Sequence, residues 1–127
     1  MNETTDSMLN SLEEFRVKPK FRCIEPEFRI LSPSPSSVTI PLETALNNCA
    51  IELSNLVQNS ATPKKLKNCI TESINSIDKP FDTEDREYLT YYYYQLGECV
   101  GVNVALVLNR WLYGIILASV FRLFGRG

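Results

Sequence analysis

The C-terminal segment constrains the fold of this chain more than any other feature. From Cys99 to Phe121 the sequence carries one formal charge, Arg110, with eleven uncharged residues on either side of it. A membrane-spanning helix needs about 20 mostly apolar residues, which this segment has. A central arginine costs at least ~2.5 kcal/mol in a bilayer even on lenient scales. We therefore expect a core helix of a bundle; membrane association and a dimer seam are the alternatives.

Arg110 separates these interpretations. A buried charge without a partner is too costly, so a core helix must bring Arg110 a carboxylate. The candidates lie on helices that are predicted to face the segment: Glu52, Glu72 and Glu98. We accordingly predict that Arg110 is a buried structural charge.

The rest of the chain shows apolar residues at helical spacing. Pro41 and Pro63 suit first helical positions, Thr62 suits a cap, and Gly101 suits a left-handed stop. A short connection at 59–62 predicts that the second and third helices are antiparallel. The predicted helices cover roughly residues 5–15, 41–58, 63–77, 82–101 and 103–123.

Prolines interrupt the segment between residues 16 and 40, from Pro19 to Pro35, and exclude a long helix there. Apolar and charged residues alternate around Phe21 and Phe28, which favours an extended arm or a short strand pair. We predict an all-α, or nearly all-α, bundle of four to five helices. The whole chain, 1–127, forms one domain, with an extended proline-containing arm at 16–40 and a helical core at 41–124.

Composition excludes several classes of function. The 127 residues contain no histidine, which removes the commonest general base and metal ligand. A net charge of −2 argues against a nucleic-acid binder. No glycine-rich phosphate loop or EF-hand spacing is found. We expect no enzyme activity, no catalytic residue, no cofactor and no metal.

The four cysteines, Cys23, Cys49, Cys69 and Cys99, form no CxxC pair. The first residues are acidic and polar, unlike the basic start of a secretory signal. We therefore expect reduced, packed thiols and a cytoplasmic protein.

Five tyrosines lie between Tyr88 and Tyr94, and they cannot all face one way on a helix. Tyr93 shares the apolar face, whereas Tyr91 and Tyr94 fall on the other side with Glu87 and Glu98. Tyrosine is enriched in binding hot spots. The four residues Tyr91, Tyr94, Glu87 and Glu98 are therefore predicted to bind a partner; simple packing with the hydroxyls at the surface is the alternative.

Acidic residues cluster around residue 85, at the start of the fourth predicted helix. Negative charge suits a helix N-terminus, so we interpret them as capping residues.

Two stretches, Asp82–Tyr88 and Leu108–Gly114, resemble a family of small bacterial domains of unknown function with an acidic helix start and an LN-[KR]-W-x-YG ending. The resemblance covers the last third of the chain. It implies a bacterial protein and carries over no activity.

These features together predict a small, non-catalytic bacterial protein-interaction domain. At the level of class, such proteins include immunity or inhibitor proteins for toxins. The expected partner is another protein, or a second copy of the chain in a homodimer, and no nucleic acid. The alternative function is a membrane-associated protein anchored by its C-terminal apolar helix.

Overall fold

A computed structural model describes residues 3–21, 36–77 and 83–113 of the chain. These residues form α1 (Glu3–Val17), α2 (Ser36–Gln58), α3 (Pro63–Asn75), α4 (Thr83–Cys99) and a further helical stretch, α5, at 105–113. No strand occurs within these ranges. The prediction of an all-α bundle is confirmed.

The predicted arm is wrong at both of its ends. Arg16 lies in α1, and α2 begins at Ser36 with Pro41 inside it. A proline costs little near a helix start, where most N–H groups have no intrahelical partner, and Val38 packs against the core. Phe21 has φ of 62°, which excludes an extended strand at that residue. Residues 22–35, including Cys23 and Phe28, lie outside the described residues.

The predicted helix ends are mostly confirmed. Thr62 caps α3 by accepting a hydrogen bond from the Lys65 N–H at 3.3 Å, with Pro63 in the first turn. Gly101 has φ of 71° just beyond α4. Ser60 takes the left-handed position after α2, and the Ala61 N–H donates to the Leu56 carbonyl at 3.0 Å.

The core lies around α2 and α4, which contact each other and both α1 and α3. α1 and α3 do not contact each other across the described residues. The most deeply buried side chains of α4 are Tyr88, Leu89, Tyr93 and Leu96. The described part of the predicted C-terminal core helix adds one face to this core, through Leu108, with Val104 just before it.

α5 is amphipathic. Leu108 and Leu112, with Val104 just before the helix, are buried, whereas Leu106 and Arg110 are exposed. Arg110 lies two residues from the buried positions and so faces away from them. The prediction that Arg110 is a buried structural charge is wrong, because the helix buries one stripe only. Among the described residues, no helix has the length and apolar character that crossing a bilayer requires.

A close approach at Gly97 positions α5 against α4. A Cβ atom there would lie 2.9 Å from both the Val102 carbonyl oxygen and a Val104 methyl group. The Val102 N–H donates to the Gly97 carbonyl at 3.0 Å, and the Asn103 side chain accepts from the Ala105 N–H at 2.9 Å. The absence of a side chain at Gly97 lets the chain turn back directly onto α4.

Candidate functional site

The tyrosines of α4 divide between two faces. Tyr88, Tyr92 and Tyr93 are buried, whereas Tyr91 and Tyr94 are 39% and 45% exposed. The helical period separates them, as the sequence pattern predicts. Tyr88 and Tyr93 have no exposed surface, so the alternative in which every hydroxyl reaches the surface is wrong. Tyr92 Oη accepts from the Phe21 N–H at 3.0 Å, and Tyr93 Oη and Ser73 Oγ share a hydrogen bond of 2.7 Å.

The two exposed tyrosines line a groove of about 380 Å³ between α4 and α5. Leu108 and Leu112 provide apolar walls, and Glu87 provides a carboxylate. The Gln95 amide donates to Tyr91 Oη at 3.1 Å, one helical turn along α4. We call this feature the tyrosine groove; its lining residues are Glu87, Thr90, Tyr91, Tyr94, Ala105, Leu108, Asn109 and Leu112.

The structure brings together three of the four predicted partner-binding residues. Glu87, Tyr91 and Tyr94 line the tyrosine groove. Glu98 is also exposed but lies in a different recess, between α1 and α4, with Glu14 and Lys18. The separation arises because Glu98 lies a full turn beyond Tyr94, where α1 rather than α5 is the neighbour.

The sequence pattern did not predict the residues of α5 that line the groove. Ala105, Leu108, Asn109 and Leu112 follow the i, i+3, i+4, i+7 spacing of one helix face. This pattern was obscured because the whole segment is apolar, so no stripe contrasts with its surroundings.

A second recess, which we call the thiol groove, lies between α2 and α3 and holds about 370 Å³. Cys49 and Cys69 lie on opposite walls, and both are free thiols that are 1% and 9% exposed. The exposed carboxylates of Glu52 and Glu72 line the same groove. Ala45, in the N-terminal half of α2, and Ser76, just after α3, line the same groove. This is the arrangement that antiparallel helices require, as the sequence predicts.

The two thiols interact with each other across the groove, and their environments separate their acidities. The interaction with Cys69 and burial raise the pKa of the Cys49 thiol. The same interaction lowers the pKa of the Cys69 thiol, against burial and the charges of Glu52 and Glu72. Burial also raises the pKa of Tyr93, which lies beneath the pair. Cys69 is therefore the more acidic and the more accessible thiol of the two.

A buried lysine lies three residues beyond α1. Lys20 is 2% exposed; its ammonium donates to the Phe15 and Lys18 carbonyls and lies 4.2 Å from the centre of the Phe15 ring. Burial lowers the pKa of Lys20 to about 8, although Glu43 opposes the shift. Phe21 packs beside it against Tyr88 and Tyr92. Nothing in the sequence distinguished Lys20 from the exposed lysines.

The acidic start of α4 is only partly a solvent-facing cap. Asp85 is 2% exposed, so the interpretation of this residue as a simple capping carboxylate is incomplete. Across residues 3–21, 36–77 and 83–113, no three His, Cys, Asp or Glu side chains are grouped closely enough to hold a metal ion.

The fold and its two grooves can now be compared with known proteins. The sequence matches, over residues 3–115, the family described as Domain of unknown function (DUF4844). This chain belongs to the DUF4844 family. The match supports the predicted membership of an uncharacterised domain family, but it does not confirm the C-terminal ending that suggested the resemblance.

The DUF4844 chain is also similar to a solved structure, the crystal structure at 1.95 Å resolution of a DUF3571 family protein from Acinetobacter baumannii AYE. The TM-score is 0.82 and the sequence identity is 22%, over 94% of this chain and 99% of that one. At this identity the similarity shows a shared fold and nothing about activity. No curated protein matches the chain.

Proposed function

We propose that this DUF4844 chain is a non-catalytic protein-interaction domain that binds its partner in the tyrosine groove. The observation that carries the proposal is the pairing of two exposed tyrosines with a leucine-lined groove. Tyrosine contributes a large contact area with few rotatable bonds, and hot spots favour such residues around well-packed pockets. An isolated exposed tyrosine would need no explanation; two on one groove are suited to binding.

The groove chemistry suggests the kind of segment that it would bind. Leu108 and Leu112 favour an apolar side chain, and Glu87 favours a lysine or arginine beside it. None of the described lining residues is basic. A partner helix or loop that presents a leucine or phenylalanine next to a basic residue fits these requirements.

The residues in the groove support a binding role rather than a catalytic one. Glu87 is the sole carboxylate among the described lining residues, and histidine is absent from the chain. Paired acid–base chemistry needs two positioned titratable groups, and nucleophilic catalysis needs an activated nucleophile. The tyrosine groove offers neither combination.

Within this proposal, the partner is a basic protein toxin and the chain is its immunity or inhibitor protein. The acidic balance of the sequence and Glu87 in the groove suit such a partner. Binding of a second copy of the chain is the competing proposal, since tyrosine pairs also occupy homodimer interfaces.

A photo-crosslinking amino acid at position 91 in the cells of origin would capture the groove partner. The purified partner is then titrated with the parent chain, Tyr91→Ala and Tyr94→Ala. We expect at least a tenfold loss of affinity for each alanine variant, which corresponds to about 1.4 kcal/mol of binding free energy. Ile51→Ala is the matched control, because Ile51 is 48% exposed on α2, away from the groove.

Unchanged affinity in both tyrosine variants would refute the groove as the binding site. If the captured protein is a toxin, co-expression of the parent chain should restore the growth of cells that make the toxin. Co-expression of the double variant Tyr91→Ala/Tyr94→Ala should not. If the chain captures itself, sedimentation should show a dimer that Tyr94→Ala dissociates, and the immunity proposal fails.

A further inference from the structure

The thiol groove combines two features that the tyrosine groove lacks: a pair of nucleophiles and a route to reach them. Cys49 of α2 and Cys69 of α3 are free thiols that line the same recess. Both line a recess of about 370 Å³ that opens to solvent. Both cysteines also belong to the hydrophobic core, and this groove is where they line its surface.

We propose that Cys49 and Cys69 form a redox modification site, at which a small cationic disulfide oxidises the two thiols to a disulfide that joins α2 to α3. The site is independent of the tyrosine groove and of the proposed protein partner. The residues that carry it are Cys49, Cys69, Glu52 and Glu72.

The reaction proceeds by two thiol–disulfide exchanges. The Cys69 thiolate attacks one sulfur of the reagent R–S–S–R, forms Cys69–S–S–R and releases R–S⁻. Cys49 then attacks the Cys69 sulfur and expels a second R–S⁻, and its proton is taken up by the departing thiolate. In sum, two protein thiols are oxidised to one disulfide, and the reagent is reduced to two R–SH molecules.

Accessibility and acidity assign the order of the two steps. Cys69 is the more exposed thiol, and its interaction with Cys49 lowers its pKa. Cys49 is almost fully buried, and its pKa is raised, so it cannot be the first to attack a reagent from solvent. It is placed for the second attack because it lines the same recess as Cys69.

The charge of the groove selects the reagent. Glu52 and Glu72 both line it, and none of the described lining residues is a lysine or arginine. Carboxylates that line a recess attract cations and repel anions over roughly 10 Å at moderate salt. A cationic disulfide such as cystamine should therefore react faster than oxidised glutathione, which carries a net negative charge.

The first experiment treats the intact chain with cystamine and maps its disulfides by mass spectrometry of non-reduced peptides. We expect a Cys49–Cys69 link in the parent chain and in the Cys99→Ala control. Cys49→Ala should trap the mixed disulfide on Cys69, whereas Cys69→Ala should leave Cys49 reduced. Circular dichroism verifies that each variant is folded, and Cys→Ser versions replace any that is not.

The proposal is overturned if Cys23 or Cys99 reacts first, if Cys49 reacts in the Cys69→Ala variant, or if the link forms only after unfolding in urea. A lost link with an unchanged tyrosine-groove affinity would leave the proposed function standing, so the two proposals fail separately.

The second experiment compares the rates of cystamine, neutral hydroxyethyl disulfide and oxidised glutathione. Each rate is divided by that of the urea-unfolded chain, which removes the intrinsic reactivity of the reagent. We expect about a tenfold preference for cystamine over oxidised glutathione at low salt, which shrinks at high salt. Glu52→Gln/Glu72→Gln should abolish the preference; equal normalised rates in the parent chain would refute the selection by charge.

Discussion

The two faces of α4 show how one tyrosine-rich segment can serve the core and the surface at once. Tyr88 and Tyr93 are fully buried, and Tyr93 hydrogen-bonds Ser73 of α3. Tyr91 lies two residues before Tyr93 and Tyr94 one residue after it, yet both remain exposed beside α5. The comparison teaches that residue type does not decide the role; the angular position on the helix does. Substitutions at neighbouring positions should therefore have very different effects on stability.

The largest difference is expected between Tyr93→Ala and Tyr94→Ala. Tyr93→Ala should lower the free energy of unfolding by about 3–5 kcal/mol, because it leaves a cavity in the core. Tyr94→Ala should change it by less than about 0.5 kcal/mol, as is typical of surface substitutions. Urea unfolding followed by circular dichroism measures both. Comparable losses in the two variants would contradict the division of α4 into two faces.

A substitution at Gly97 tests whether the close approach of the turn at Val102 to α4 is needed for stability. Gly97→Ala should cost about 2–3 kcal/mol, because the new Cβ would lie 2.9 Å from the Val102 carbonyl oxygen, a backbone atom that cannot easily move. Thermal unfolding measures the loss. Ala105→Gly, at the first residue of α5, is a useful reference for a glycine–alanine exchange without a backbone clash, and should cost less than the roughly 1 kcal/mol typical of a helix interior. A neutral Gly97→Ala would show that the turn adjusts freely.

The buried face of α4 also has a buried charge beside it. Lys20 lies next to Phe15 and Phe21, the aromatic residues that cover this face. Its pKa is about 8 in the folded chain and about 10.4 when unfolded, so the unfolded state binds more protons between these values. Stability should therefore rise with pH through this window. We expect about 1–2 kcal/mol, because the carbonyl and ring contacts of the ammonium offset part of the burial cost.

The measurement for Lys20 is the difference in unfolding free energy between the parent chain and Lys20→Met from pH 7 to pH 10.5. The difference removes the titration of tyrosines and cysteines, which both chains share. The unfolding free energy of the parent chain should rise relative to that of Lys20→Met as pH rises. A difference that is flat with pH would show that Lys20 keeps an ordinary pKa.

The smallest expected effect concerns single hydroxyl groups on the two faces. Tyr93→Phe should cost about 1 kcal/mol, because Ser73 loses a partner in a partly buried position. Tyr91→Phe removes only an exposed hydrogen bond with Gln95 and should cost almost nothing. Urea unfolding with replicate titrations resolves the difference. Equal values would indicate that the Tyr93–Ser73 bond contributes no net stability.

Local patterns predicted much of the helical structure. The Thr62 cap, the stop at Gly101, and the division between Tyr93 and the Tyr91–Tyr94 pair all follow from residue chemistry and the period of 3.6. The same reasoning failed for Pro41, because a preference for the first turn does not set how many residues precede it. It also failed for Arg110, where a uniformly apolar segment hid the direction of its buried stripe.

The sequence by itself determined that this chain is helical and that histidine-dependent chemistry is absent from it, because helix periodicity and composition are local or additive properties. Only the tertiary structure decided which elements meet. It paired Cys49 with Cys69 in one groove, placed Leu108 and Leu112 opposite Tyr91 and Tyr94, and buried Lys20 just beyond α1. The physical reason is that a contact between helices depends on their packing, and packing joins residues whose spacing along the chain carries no signal.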